Sequence, residues 1–78
     1  MNHDHEIQFA VSAIRQYISN RPNAADTAEG IHLWWINWPE PIPMSVTLAA
    51  LEILEKSNEM ETIKIGNRTI WRKQSSNP

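Results

Sequence analysis

The apolar positions of this chain change their period once, at Asn58, and that switch dictates the order of its secondary structure. From Asp4 to Asn20, Ile7, Val11, Ile14 and Ile18 recur every three to four residues, the stripe of an amphipathic helix at about 5–20. Ala10 and Tyr17 widen the stripe, and Phe9 falls beside it, partly exposed. Asn20-Arg21-Pro22 ends the helix, because proline disfavours helical geometry in the residue before it. A second helix is expected at about 26–38. Asp26 would be its N-cap, with Glu29 three residues on satisfying further orphan N–H groups. It stops before Pro39-Glu40-Pro41-Ile42-Pro43. A third, at about 45–58, gathers Val46, Ala50, Leu51, Ile53 and Leu54 on one face. Ser45, Glu52, Glu55 and Lys56 take the other face, with Leu48 among them.

Beyond Asn58 the residues alternate with period two on either side of Gly66-Asn67. This predicts a β-hairpin at about 60–73, Gly66 supplying the positive φ of a type II′ or I′ turn. Ile63, Ile65 and Ile70 then share one face, and Thr62, Thr69 and Trp71 the other. Gln74 to Pro78 reads as a disordered polar tail. The expected core is Ile7, Val11, Ile14, Ile18, Ile31, Trp35, Val46, Ala50, Leu51, Leu54, Ile63 and Ile70.

A length of 78 residues leaves room for one core, so a single domain spanning 1–78 is expected. So small a domain buries only about 60–65% of its unfolded surface and gains from pairing with a second copy. The absence of cysteine excludes disulfides, thiolate zinc sites and thiol nucleophiles, and fits a reducing compartment. No basic segment followed by an apolar one opens the chain, and no apolar run approaches the ~18 residues of a membrane span, so a cytoplasmic protein is expected. A net charge of −2 supplies no general attraction for nucleic acid. With two glycines there is no phosphate-cradling loop, and neither G-x-S-x-G nor H-E-x-x-H occurs, which argues against an enzyme, a cofactor or a small-molecule substrate. His3 and His5 beside Asp4 and Glu6 lie at a frayed terminus that offers no preorganised geometry, and His32 stands alone, so no metal site is expected.

The stretch Val46-Thr47-Leu48-Ala49-Ala50-Leu51-Glu52-Ile53-Leu54 followed by the hairpin resembles the third helix and wing of bacterial winged helix-turn-helix domains. Ala25 to Ile31 with Trp34-Trp35 also looks like a stretch of small bacterial proteins of that shape. The resemblance implies an α+β, winged-helix-like fold of three helices followed by a C-terminal β-hairpin wing, in a family whose third helix and wing usually contact DNA. The third helix departs from that use. Its outward Glu52 and Glu55 would be repelled by phosphates, leaving Lys56 as its single cation. Lys64, Arg68, Arg72 and Lys73 make the hairpin basic and define the nucleic-acid alternative, although charge on an exposed hairpin more often guards a sheet edge.

Three of the four tryptophans, Trp34, Trp35 and Trp38, lie within five positions. A regular helix puts all three on one broad face with Thr27, Ala28 and Ile31, more than so small a core absorbs. Trp35 and Trp38 are assigned to the core. Trp34 either joins them or forms, with Leu33, Ile36 and in addition Leu48, an exposed apolar surface for a protein partner or a second copy. The segment from Pro39 to Pro43 reads as a loop that sets the angle between two helices, or as a rigid extended docking segment.

Overall fold

The computed structural model describes residues 4–74. In chain order it contains α1 (Asp4–Asn20), β1 (Ala25–Asp26), α2, α3 (Met44–Lys56), β2 (Met60–Ile65) and β3 (Arg68–Lys73). Helix α2 begins as an α-turn, Ala28–Gly30, and continues as a π-helical turn, Ile31–Trp35. The expected α+β composition holds, with three helices and an antiparallel sheet of three strands in the order β1-β3-β2. The part of the expected tail beyond Gln74 lies outside the described residues, as does His3.

The hairpin forms where alternation placed it. Ile65 pairs with Arg68, Ile63 with Ile70 and Thr62 with Trp71. Gly66 has φ 63°, and Asn58 is the one non-glycine residue at positive φ among those described, so the turn is type II′. Strand β1, which is two residues long, went unforeseen. So short a strand has no period to read, and it exists because β3 offers it a ladder through Ala25↔Arg72 and Asp26↔Trp71.

The face of the hairpin that meets the helices is the reverse of the expected one. Met60 is 0% exposed within the core, and Trp71 packs against that core. Ile63 and Ile70 are only half-buried and Ile65 is 60% exposed, so these isoleucines form the outer face. Alternation fixes which residues share a face but not which face is inward, and a methionine with one large tryptophan on its side fills the space expected for Ile63 and Ile70. The remaining core comprises Ala10, Val11, Ile14 and Ile18 of α1, Ile31, Trp35 and Ile36 around α2, and Val46, Thr47, Ala50, Leu51 and Leu54 of α3. Ile7 is only partly buried, packed at the edge of this core. Ile53 is exposed, at the edge of a buried face centred on Thr47, Ala50, Leu51 and Leu54.

Local chemistry sets the helix ends. The N-cap of α2 is Thr27, not Asp26, and its Oγ1 accepts from the Gly30 amide at 3.1 Å. Asp26 instead accepts from the Thr27 amide at 2.7 Å. Its carboxylate then lies so close to Gly30 that a Cβ there would come within 2.2 Å of it. Glycine is needed for space, since the backbone at Gly30 is ordinary right-handed helix. Helix α3 closes with Asn58 at φ 62°, the Glu59 amide donating to Leu54 O and the Asn58 amide to Glu55 O, the paired bonds of a Schellman cap. Arg15 of α1 then grips Glu59 with two parallel bonds of 2.7 and 2.8 Å, tying the first helix to the root of the hairpin.

Candidate functional site

The π-helical turn decides what α2 exposes. A π-turn spreads its residues to roughly 4.4 per turn, so Trp34 lies about 245° around from Ile31 where an α-helix would put it at about 300°. Ile31 and Trp35 stay on the inward side, and Trp34 swings off it. Trp34 is 77% exposed and its neighbour Leu33 is 65% exposed, two large apolar side chains adjacent on the surface. Ile36 does not join them. The helix ends at Trp35, Ile36 is extended (φ −114°, ψ 123°), and the change of direction sends its side chain into the core at 4% exposure. The expected continuation of α2 to Trp38 is corrected for the same reason.

Beside Leu33 lies an open groove of about 370 Å³. Leu33, Ile36, Trp38, Pro41 and Ile42 supply its apolar walls, and His32 and Asn37 its polar part. No carboxylate, lysine or arginine lines it. After a bend at Pro39 and Glu40, Pro41 and Ile42 thus form a wall, and Pro43 leads into α3 in extended geometry (φ −62°, ψ 147°). Trp38 is half-buried, its ring 5.4 Å from that of Phe9 and 5.7 Å from that of His32. Its indole nitrogen is buried and makes no hydrogen bond. His32 Nδ1 hydrogen-bonds Thr47 Oγ1, which lies in the core of α3, so the floor of the groove is pinned to the third helix. Behind it Trp35 stacks on Tyr17 at 4.4 Å, and the Arg21 guanidinium lies 4.6 Å over the other ring of that pair, Tyr17.

Leu48 is exposed, but it lines a different groove of about 690 Å³, with Met44, Arg68 and Trp71, between the first turns of α2 and α3 and the hairpin. It therefore stands apart from Leu33 and Trp34. The four hairpin cations do not converge either. Pairing puts Arg68 and Arg72 on the isoleucine face, and Lys64 and Lys73 on the Met60 face. Arg72 is engaged by Glu61, its cross-strand partner, at 2.7 Å. At the root of the hairpin, Glu59 is held below the usual carboxyl range by its bonds to Arg15 and then to the Ser57 hydroxyl at 2.7 Å. Arg15 is raised in turn by the same contact. This clamp is invisible to a sequence reading because its members are 44 positions apart.

Among the described residues no group of three or more His, Cys, Asp or Glu is placed to hold a metal ion, and no helix is long and apolar enough to cross a membrane. No family model matches the chain, and neither does a curated protein or a solved structure.

Proposed function

We propose that this chain is a non-enzymatic protein-interaction or homodimerisation module on a winged-helix-like frame, and that the end of α2 carrying Leu33 and Trp34 is its contact surface. The frame is supported by the order α1-β1-α2-α3-β2-β3, with a short first strand adding to a C-terminal hairpin beside three helices. One observation carries the function. A tryptophan with most of its surface in water, next to an exposed leucine and an uncharged groove, is the side chain whose burial releases most free energy on association. Sedimentation equilibrium tests it, the expected result being reversible self-association that Trp34→Ser weakens at least tenfold. Association untouched by Trp34→Ser would remove this surface from the account.

The DNA-binding alternative draws on the same frame and on Lys64, Arg68, Arg72 and Lys73. Their division between two faces and the Arg72–Glu61 pair count against it, as do the exposed Glu52 and Glu55 on α3. A duplex titrated at about 50 mM salt, where the phosphate contribution is strong, separates the two readings.

A further inference from the structure

We infer that two copies pair about a two-fold axis at Leu33, each inserting Trp34 into the groove that Leu33, Trp38, Pro41 and Ile42 form on the other. The inference rests on the proposed role of the α2 surface and names what that surface holds. Knob and hole are successive features of one short segment. Leu33 is the rim of the groove and Trp34, the next residue, stands outside it and exposed. An axis close to Leu33 therefore makes both contacts at once, which is the condition for a closed, isologous dimer.

Chemistry and size agree with this occupant. No carboxylate, lysine or arginine lines the groove, and the indole entering it carries no charge. Asn37, at the polar part of the groove, offers its amide oxygen to an incoming indole N–H. An indole buries about 150–250 Å². Two of them, with both copies of Leu33 and the walls they cover, bring the total to roughly 700–1,000 Å², the size of a weak, transient contact. A prolyl wall loses little freedom when it is covered, so the hole is largely preformed. A reversible dimer in the micromolar range or weaker is the expected strength.

Complementation of two damaged partners tests the geometry. Trp34→Ser removes the knob and keeps the hole, while Ile42→Glu keeps the knob and places a charge in the hole. Pro41→Arg, at an exposed wall position, repeats the second change where Ile42→Glu unfolds the chain. The probe in every case is the chain itself, followed by sedimentation equilibrium with circular dichroism as the folding control. Each variant alone is expected to associate at least tenfold more weakly than the parent. An equimolar mixture of the two is expected to associate more tightly than either alone, because one knob and one hole survive in the mixed pair. A Trp34→Ser effect with no gain on mixing overturns the knob-in-hole pairing and leaves the α2 surface standing. A parent chain that stays monomeric, or that ignores Trp34→Ser, overturns both.

Discussion

Replacing Met60 by alanine isolates the question of which hairpin face is the inner one. Met60 has no exposed surface and sits among Leu51, Leu54 and the α1 residues of the core cluster, so truncation leaves a cavity as well as losing transfer free energy. Buried methionine-to-alanine changes cost about 2–5 kcal/mol, against a total stability of roughly 4–12 kcal/mol for a chain of this length. At about 4–8 °C per kcal/mol in so small a domain, Tm is expected to fall by 10 °C or more. Ile63→Ala is the control. Ile63 lies on the outer face opposite Ile70, where the loss is that of a cross-strand pair, about 0.2–1 kcal/mol. Urea titrations followed by tryptophan fluorescence measure both, with equal slopes confirming that the unfolding unit is unchanged. An Ile63→Ala cost equal to that of Met60→Ala would instead make the isoleucine face the buried one.

Other substitutions probe single contacts. Gly30→Ala adds a methyl group within 2.2 Å of the Asp26 carboxylate. The roughly 1 kcal/mol of helix propensity it gains is outweighed by the charged bond to the Thr27 amide it displaces, and a net loss of about 1 kcal/mol is expected in thermal melts. Asn58→Gly should raise stability by about 0.5–1 kcal/mol and Asn58→Val should lower it by more than that, because φ at this position is 62°. Thr47→Val leaves His32 without its partner in α3 and should cost about 1–2 kcal/mol by urea titration. Glu59 has a depressed folded pKa, so its contribution is present above the unfolded value of 4.5 and is lost as pH falls through the lower folded value. Glu59→Gln should therefore cost about 0.5–1 kcal/mol at neutral pH and flatten the stability profile below about pH 4.5, a difference that melts across pH 3–7 would detect.

What could be read in advance follows from how far each signal reaches along the chain. The stripe of α1, the proline stop after Asn20 and the Gly66-Asn67 turn are local, and they appear where periodicity and turn chemistry require. The end of α2 is not legible because a π-turn is not encoded in an α-helical wheel; the π-turn frees Trp34, and the stop at Trp35 with an extended Ile36 buries that side chain. Hydrophobicity could not choose between the Met60 and Ile63 faces, since that depends on the volume left between α1 and α3. Thr47 looks like a surface residue in sequence and becomes core because His32, 15 positions earlier, satisfies its hydroxyl. At the candidate surface the residue types were legible in Leu33 and Trp34. The groove beside them required Pro41 and Ile42 to fold back, which no local pattern announces.

A dilution series observed by nitrogen–proton NMR, from about 1 mM to about 20 µM, reports residue by residue whether the end of α2 is the contact surface. The Trp34 indole and the Leu33 amide are expected to shift with concentration, while the Trp71 indole and the Arg68 amide of the hairpin are not. Concentration-dependent shifts confined to the hairpin, or none at Trp34, would contradict that role for α2.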